Sequence, residues 1–289
     1  MELRQLVYAE AVARHRHFTR AAEELHVAQS ALSHQIRRLE AELGTELFER
    51  TSRRVVPTEA GEVVAARARR VLAEIEGVRG EVDELRGLVR GRLAVGALLP
   101  AGEIEVTRLL ARFSRRYPGV EVALREGTAA EMRALIEGDD LDVAFSLVYG
   151  ELPEGLDGIE LSKEEIVIAF TPGTAPAGEA VSVTDLAGTH LATPRTGSAI
   201  TNAIDDAFAN ANAPLEVSLE SADPYLIRCL VSDGFGAAVL PASITRREGP
   251  PVETRRLDPP LQLSVYLLWR RDRHQSAAAA AFVEFVRNA

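Results

Sequence analysis

The sequence predicts an α/β protein in three consecutive parts: a small helical part, one long helix, and a larger part that mixes strands and helices. The chain has 289 residues, enough for about two domains. Helical periodicity dominates roughly the first sixty residues, and a seven-residue apolar repeat follows. In the remaining two hundred or so, short apolar strands alternate with helical stretches, which is typical of α/β architecture.

Composition excludes several classes of protein. Hydrophobic residues make up 46% and charged residues 26%, as in an ordinary globular protein. No apolar run reaches the roughly 18–20 residues that span a bilayer. The first residues carry charge throughout and do not resemble a secretory signal, so we expect a cytoplasmic protein without a membrane partner. The single cysteine, Cys229, excludes an intramolecular disulfide and a cysteine-rich metal site.

Charge is distributed unevenly along the chain. The net charge is −10, but residues 1–90 hold 15 Arg and 15 acidic residues, so the excess negative charge lies entirely in the rest. Within the neutral part, residues 11–22, 26–38 and 50–58 contain arginine and no acid. Three such windows can form one surface that faces phosphates. Three separate solvated faces are the alternative.

Three helices are predicted in the first part of the chain. Helical spacing of apolar residues places them at residues 2–14, 19–25 and 29–43. Thr19 is the expected N-cap of the second helix. His26 falls at the turn that follows, and histidine is among the few non-glycine residues tolerated at positive φ. Two helices that cross closely about such a turn form a helix-turn-helix.

The third helix carries candidate DNA contacts. If Leu32, Ile36 and Leu39 face the core, the opposite face presents short polar side chains and arginine, which suits entry into a major groove. A small solvent-exposed helix pair is the alternative. The candidate DNA-binding residues in the helix pair are Thr19, Gln29, Ser30, Ser33, His34, Arg37 and Arg38.

Residues 47–58 predict a short β-hairpin, or wing. Two apolar anchors, Leu47 and Phe48, precede a polar tip, and two valines return the chain. Such a wing would lie along the DNA backbone or in the minor groove. It adds Arg50, Arg53 and Arg54 to the candidate DNA contacts.

Residues 3–61 resemble the N-terminal winged helix-turn-helix of LysR-type transcriptional regulators. The resemblance implies a sequence-specific DNA-binding regulator. Two positions depart from the family pattern: Ala28-Gln29-Ser30 replaces a frequent Ser-Gln-Pro, and His34 replaces a usual arginine, which could change the preferred operator. The matching motifs are Phe18-Thr19-x-Ala21-Ala22, Leu25-His26-Val27-x-Gln29, Ala31-Leu32-Ser33, Gln35-Ile36-Arg37-Arg38-Leu39-Glu40, Leu43-Gly44, Leu47-Phe48-x-Arg50 and Thr58-x-Ala60-Gly61.

A seven-residue repeat begins at Gly61. Positions 61, 68, 75, 82 and 89 are Gly, Ala, Ile, Val and Val, and positions 64, 71, 78 and 85 are Val, Val, Val and Leu. Such a seam predicts a helix that pairs with a second copy, while a long helix packed on its own domain is the alternative. The family resemblance implies a dimer through residues 61–89, and a homotetramer built as a dimer of dimers.

The last part alternates strands and helices. Ligands in such sheets bind at the carboxyl ends of strands, near helix N-termini. The candidate strands are residues 92–98, 120–125, 141–145, 166–170, 190–192, 215–219, 237–240 and 263–269. The candidate helices are residues 103–117, 129–137, 198–211, 224–233 and 275–287.

The same part resembles the effector-binding domain of the LysR family. The resemblance implies two α/β lobes, as in periplasmic binding proteins, with a small-molecule cleft between them. The matching motifs are Gly91-Arg92-Leu93-x-Val95-Gly96, Leu135-x-x-Gly138-x-x-Leu141-Asp142 and Gly234-x-Gly236-x-Ala238-Val239-Leu240-Pro241. The expected boundaries are 1–58 for the DNA-binding domain, 59–90 for the linker helix and 91–289 for the effector-binding domain, with lobe one at 91–161 and 266–289 and lobe two at 162–265.

Strand ends supply the candidate effector contacts. Residues 194–198 place an arginine, two hydroxyls and a glycine before a helix, which is a reasonable anion site and favours a carboxylate effector. The alternative is that Thr196 or Ser198 only caps that helix. The candidates are Leu98, Pro100, Ala101, Thr128, Phe145, Ser146, Arg195, Thr196 and Ser198.

Other functions leave parts of the sequence unexplained. The chain has no GxGxxG after a strand, no phosphate-binding loop, no GxSxG and no HExxH, so we expect no catalytic residue, metal or cofactor. A transport protein would not need residues 1–58, and a coiled-coil scaffold would not need Arg53 or Arg54. An oxidant-responsive regulator acting through Cys229 and a non-regulatory ligand-binding module are the alternatives. The apolar residues next to Cys229 in the sequence predict that this cysteine is buried and structural.

Overall fold

The computed structural model describes residues 1–50, 55–84, 89–98 and 102–289. The chain divides into two compact units, residues 1–88 with 138–140, and residues 89–137 with 141–289. None of the described helices combines the length and the apolar composition that a membrane span requires. The domain and lobe boundaries given above stay predictions.

The N-terminal unit is a helical domain with a β-hairpin. All three predicted short helices are present within two residues of their expected bounds. The hairpin is antiparallel and pairs Phe48 with Pro57 and Arg50 with Val55. The elements are α1 (Leu3–His15), α2 (Phe18–Glu24), α3 (Gln29–Leu43), β1 (Phe48–Arg50), β2 (Val55–Pro57) and α4 (Glu59–Glu84).

The core of this unit fixes the crossing of α2 and α3. Ala21 and Ala22 are buried, so the two helices approach closely, and Val27 packs against the same cluster. The turn between the helices places His26 at φ 51°, which confirms the predicted positive φ. On the wing side, the rings of Phe18 and Phe48 meet edge to face at 6.0 Å.

The predicted N-cap of α2 was wrong by two residues. His17 is the N-cap: its Nδ1 accepts from the backbone amides of Thr19 (3.2 Å) and Arg20 (3.4 Å). Phe18 already lies in the helix because its ring is anchored in the core, so Thr19 falls inside the first turn. Glu24 is the last residue of α2.

A threonine and a glycine fix the start of α4. Thr58 Oγ1 donates to the Glu46 carbonyl at 2.7 Å and accepts from the Gly61 amide at 3.0 Å. A side chain at Gly61 would overlap the carbonyl oxygen of Leu47. The Thr58-x-Ala60-Gly61 motif therefore records a cap and a close backbone approach.

The heptad stripe of α4 divides between two environments. Gly61 and Ala68 are buried within the N-terminal unit, where α4 packs against α1. Val71 and Val78 are 42% and 62% exposed. The alternative of packing within its own domain thus describes the start of the helix, and pairing with a second copy stays a prediction for the exposed part. The side chain of residue 82, and residues 85–88, lie outside the described part of the chain.

The second unit has the expected α/β pattern. Every predicted strand and helix has a counterpart, and β7 and α9 are short additions with too few residues to show a period. Its elements are β3 (Gly91–Ala97), α5 (Val106–Arg116), β4 (Val120–Glu126), α6 (Ala129–Glu137), β5 (Val143–Val148), β6 (Leu156–Phe170), β7 (Ala180–Ser182), a 3-10 turn (Val183–Leu186), β8 (His190–Pro194), α7 (Ala199–Asn210), β9 (Glu216–Ser221), α8 (Pro224–Leu230) with a π-turn (Val231–Phe235), β10 (Ala237–Pro241), α9 (Ala242–Arg246), β11 (Glu253–Arg270) and α10 (Ala277–Arg287).

Two long antiparallel strands, β6 and β11, connect the two halves of the sheet in the second unit. The strand order is β4-β3-β5-β11-β6-β10-β8-β9, with β7 paired to β11. Strand β3 pairs in parallel with β4 and β5, and β8 pairs in parallel with β9 and β10. The 15-residue β6 and 18-residue β11 pair along most of their length, with a register shift between Arg256 and Leu261.

An aspartate fixes the start of β5. Asp142 accepts from the Ala94 amide of β3 at 2.8 Å and pairs with Arg273 at 3.2 Å. The Leu141-Asp142 motif is therefore structural: Leu141 fills a small apolar cluster and Asp142 satisfies the neighbouring strand.

Candidate nucleic-acid interface and effector site

The outer face of α3 is polar and solvent-exposed. Beneath it, Leu32, Ile36 and Leu39 are fully buried, which holds the helix in one rotation on its neighbours. The predicted DNA contacts that the structure leaves exposed on this helix are Gln29, Ser30, His34, Arg37 and Arg38.

Ser33 does not share that exposure. Its side chain is 6% exposed, so the prediction that it faces outward was wrong. Successive helix residues are rotated by about 100°, which places Ser33 at the margin of the arc that Leu32 and Ile36 bury. A hydroxyl is small enough to be enclosed there, whereas His34, one step further round, is exposed.

The start of α3 has no side-chain cap. Ala28 occupies the N-cap position and makes no side-chain hydrogen bond to the first-turn amides, and the first turn contains no acid. The departure from a family serine therefore leaves these amides without a side-chain acceptor among the residues that the structure describes. Helix N-termini with open amides attract anionic groups such as phosphate.

Arginines around α3 differ in their availability. Arg14 is bound by carboxylates: its guanidinium donates to Glu24 at 2.6 Å and to Glu10 at 3.0 Å. The acid-free window over residues 11–22 is therefore partly neutralised by two acidic residues that lie outside it in sequence. Arg16 and Arg20 are exposed, and the described residues supply no ion pair to either.

Glu24 is held as a carboxylate by its neighbours. Hydrogen bonds from Arg14 and His15 lower the pKa of Glu24 to about 2, against an opposing effect of burial. This cluster ties the end of α1 to the end of α2. Residue spacing within one helix does not predict this cluster, because Glu24 lies on α2 whereas Arg14 and His15 lie on α1.

The wing is positioned from its base. Leu47 and Phe48 are buried as predicted, and the Leu47 amide donates to Glu40 Oε1 of α3 at 3.0 Å. Thr19 is exposed in the first turn of α2. The side chain of Arg50, and the whole of Arg53 and Arg54, lie outside the described residues.

Two predicted effector contacts belong to the core instead. Phe145 is fully buried, with its ring 6.2 Å from that of Phe282, and Ser146 is also buried. Both predictions were wrong because β5 lies between β3 and β11 with both of its faces covered. Leu98 is half-buried and donates its amide to the Phe145 carbonyl at 3.0 Å. Pro100 and Ala101 lie outside the described residues.

Thr128 hydrogen-bonds to Glu131, whose carboxylate also feels the charge of Arg195. Thr128 donates its amide and hydroxyl to Glu131 Oε2 at 2.7 and 3.0 Å, and Thr128 Oγ1 accepts from the Glu131 amide. These bonds, with the charge of Arg195, lower the pKa of Glu131. The segments after β4 and β8 therefore lie within electrostatic reach of each other.

Polar side chains of the loop before α7 already hydrogen-bond to other residues of the protein. Ser198 is the N-cap of α7 and its hydroxyl accepts from the Thr201 amide at 3.1 Å. Ser198 therefore has the capping role that the alternative interpretation gave it. Thr196 Oγ1 donates to Glu220 Oε1 of β9 at 2.5 Å. Arg195 is exposed. Sequence reasoning missed Glu220, since only strand pairing brings β9 beside β8.

Cys229 is half-buried in α8, so the prediction of a buried cysteine was wrong. Ile227 faces a small apolar cluster, while Leu226 on the same helix is exposed. Elsewhere in the described residues, no group of three or more histidine, cysteine or acidic side chains could hold a metal ion.

Family models cover nearly the whole chain. Residues 3–62 match the bacterial regulatory helix-turn-helix protein model of the lysR family, and residues 86–289 match the LysR substrate binding domain. The fold and site thus define a DNA-binding transcriptional regulator with a ligand-binding domain.

Individual relatives agree with this class. The chain is 31% identical to the RuBisCO operon transcriptional regulator of Allochromatium vinosum, covering 99% of this chain and 95% of the relative. It is 31% identical to the DNA-binding transcriptional dual regulator OxyR of Escherichia coli K12, covering 84% and 79%. The chain belongs to the LysR family of transcriptional regulators.

Solved structures show the same fold. A full-length OxyR variant from Pseudomonas aeruginosa has a TM-score of 0.78 at 25% identity, over 100% of this chain and 94% of that one. CbnR in complex with its target DNA has a TM-score of 0.68 at 25% identity, over 100% and 99%. The predicted winged helix-turn-helix, linker helix and α/β effector-binding domain are confirmed as the fold class.

Proposed function

We propose that this protein binds promoter DNA as a homo-oligomer through the exposed face of α3, and that a small molecule in the second unit modulates this binding. The observation that carries the proposal is a polar helix face with open N-terminal amides, fixed by a fully buried apolar face. Because promoter DNA of bacteria lies in the cytoplasm, the protein acts there, without a catalytic role of its own.

Residues at the start of α3 contact the base edges in this proposal. Gln29, Ser30 and His34 are exposed polar side chains within two turns of the helix N-terminus. Glutamine pairs well with adenine, and serine and histidine reach base edges. Ser33 has no part in this reading, since it is buried.

Phosphate contacts surround that helix and set the register on the duplex. They come from the arginines and the hydroxyl that frame α3, and from the wing. The proposed set is Arg16, Thr19, Arg20, Arg37, Arg38, Arg50, Arg53 and Arg54.

The oligomer forms through α4, since Val71 and Val78 are exposed apolar side chains at heptad positions. Two-fold pairing presents two copies of α3 to two half-sites of one operator. We extend this to a tetramer, a dimer of dimers, by family resemblance. CbnR, a relative in fold, was solved with its target DNA.

The effector is proposed to be a small carboxylate at the ends of β4 and β8. Arg195 supplies a cation, and the bonds that Thr196 donates to Glu220 show a carboxylate already held by this loop. An effector carboxylate would compete with Glu220 for Thr196. Its binding would shift the population between two assemblies with different spacing on DNA.

Genomic footprinting of the purified protein would identify an operator, on which two classes of variant can be compared. Gln29→Ala should relax specificity at one or two positions and cost roughly 1–3 kcal/mol. Arg37→Ala should weaken binding to all DNA sequences equally. It should also reduce the slope of log affinity against log salt concentration by about one unit. Arg112→Ala, in the second unit, serves as the control. A protein that prefers no duplex over bulk DNA would contradict the proposal.

A further inference from the structure

Three residues of the loop between α6 and β5 belong to the N-terminal unit. Residues 138–140 lie in the same compact unit as α4, whereas the segments on both sides of them belong to the second unit. The chain therefore passes between the two units at this loop as well as after residue 88. Such a loop offers a physical route by which a change in one unit can reach the other.

Two neighbouring arginines of α4 hold this loop. Arg70 Nε donates to Asp139 Oδ2 at 2.8 Å, and Arg69 Nε donates to the Gly138 carbonyl at 3.4 Å. Arg69 Nε also lies 3.7 Å from Oδ1 of Asp140. Arg70 and Asp139 are 69 positions apart, so no local pattern in the sequence predicts the contact. We call Arg69, Arg70 and residues 138–140 the α4 clamp.

The carboxylate in the α4 clamp is enclosed. The side chain of Asp139 is 2% exposed, and that of Arg70 is 39% exposed. The backbone of Asp139 has φ 63°, in the left-handed region that aspartate and asparagine tolerate better than most residues. Burying a carboxylate is costly unless a cation and hydrogen bonds compensate it, whereas exposed ion pairs contribute little. The pair between Arg70 and Asp139 is therefore the contact that fixes the loop on α4.

Helix α6 connects this loop to the proposed effector site. The helix begins directly after Thr128, whose hydroxyl accepts from the Glu131 amide, and its nine residues span about 13 Å. Met132 and Ile136 are 1% and 0% exposed. A Cβ at Gly96 of β3 would come within 2.5 Å of the Met132 sulfur, so α6 packs closely on that strand. A short helix packed in this way moves as one body, and a displacement at Thr128 reaches the loop.

We propose that the α4 clamp transmits the state of the effector site to the DNA-binding unit. This inference rests on the proposed function, since it assigns the regulation of that site. An effector carboxylate at the ends of β4 and β8 would displace the start of α6, and the helix would shift residues 138–140. Arg69 and Arg70 follow the loop, which changes how the paired α4 helices present two copies of α3 to the operator.

Hydrogen exchange of the full-length protein without DNA tests the α4 clamp itself. Asp139→Asn removes the charge and keeps a residue that tolerates φ 63°, and Arg70→Gln removes the cation. Each should speed the exchange of residues 135–143 and 66–74 by roughly fivefold. The double variant should exchange no faster than the faster single variant, because both substitutions remove the same interaction. Unchanged exchange in both single variants overturns the proposal.

Arg133→Gln is the matched control for these variants. Arg133 pairs with Glu137 on α6 at 2.7 Å, and both side chains are about half exposed. The substitution removes an arginine–carboxylate pair from the helix next to the loop and leaves the contacts of Arg69 and Arg70 in place. Residues 66–74 should therefore exchange as in the parent. If Arg133→Gln speeds their exchange as much as Asp139→Asn does, the α4 clamp is not the cause and the proposal fails.

Operator DNA tests the transmission in the opposite direction, since coupling between two sites is reciprocal. DNA binding should change the exchange of residues 129–141 by roughly fivefold or more in the parent and in Arg133→Gln. Asp139→Asn should bind the operator without that change, which a merely structural role of Asp139 does not predict.

Two results would overturn the transmission: a parent that binds the operator with unchanged exchange of residues 129–141, or an Asp139→Asn variant that keeps the full change. A parent that binds no duplex would contradict the proposed function instead. The exchange measured without DNA would then still show whether Arg70 and Asp139 hold the loop on α4.

Discussion

At Gly61, the missing side chain lets α4 begin directly against the backbone of the wing. A Cβ there would overlap the Leu47 carbonyl oxygen, and backbone cannot move aside cheaply. Gly61→Ala should therefore destabilise the N-terminal unit by about 3 kcal/mol, at the upper end of overpacking costs. Hydrogen exchange of the α1 amides measures this unit separately from the second one.

Gly77 is the matched control on the same helix. Among the described residues, a Cβ at Gly77 meets nothing within 4 Å, and its φ is not in the left-handed region. Gly77→Ala should stabilise α4 by about 0.8–1.0 kcal/mol through helix propensity alone. If both substitutions lowered the protection of α1 equally, the close approach at Leu47 would not be the cause.

Glu24 makes the stability of the N-terminal unit depend on pH. Its pKa is lowered from 4.5 to about 2 by Arg14 and His15, so the folded state binds this proton more weakly than the unfolded state. Its contribution to stability is thus complete above pH 4.5 and is lost as the pH falls towards about 2. Glu24→Gln should remove that part of the pH dependence. Parallel acid titrations of the two proteins, followed by hydrogen exchange, would refute this if their slopes agreed.

At the scale of the element, α4 carries an apolar stripe that its own unit does not cover. Val71 and Val78 are exposed, while Ala65 and Ala68 pack inside the unit. A double substitution, Val71→Glu with Val78→Glu, should yield a folded monomer, because the charges would be buried in the paired helix without partners. Sedimentation measures the assembly, and gel shift should show a large loss of operator affinity.

Glu62→Gln is the control for that element. Residue 62 is exposed and lies nine positions before Val71, which is half a turn around the helix. It should leave both the assembly and the operator affinity unchanged. A dimer that persists in the double variant would place the interface elsewhere.

Elements with a clear period were predictable, and those defined by partners were not. The stripe of Leu32, Ile36 and Leu39 predicted α3 and its buried face. The cap of α2 was misplaced because Phe18 joins the helix through its place in the core. Strands β6 and β11 are longer than predicted, since their polar stretches pair with each other and need no apolar alternation.

At the scale of the whole molecule, each unit has its own apolar core. The N-terminal core gathers α1 to α4 with the wing, and the main core of the second unit joins strands from β3 to β11 with α5, α7 and α10. A fragment of residues 89–289 should therefore fold alone and unfold cooperatively. The fluorescence of Trp269, the only tryptophan, reports its melting. A broad, non-cooperative transition would show that the fragment depends on the rest of the chain.

The class of fold, the helix-turn-helix and the family were predictable from the amino-acid order, because periodicity and short motifs are local signals that need no knowledge of contacts. Which polar residues are accessible depends on the packing of the folded chain. That packing buried Ser33 and Phe145, and it paired Arg14 with Glu24 and Thr196 with Glu220. Those outcomes depend on residues that are distant in sequence or on a few tens of degrees of helix rotation. Packing fixes such geometry, and composition and spacing do not encode it.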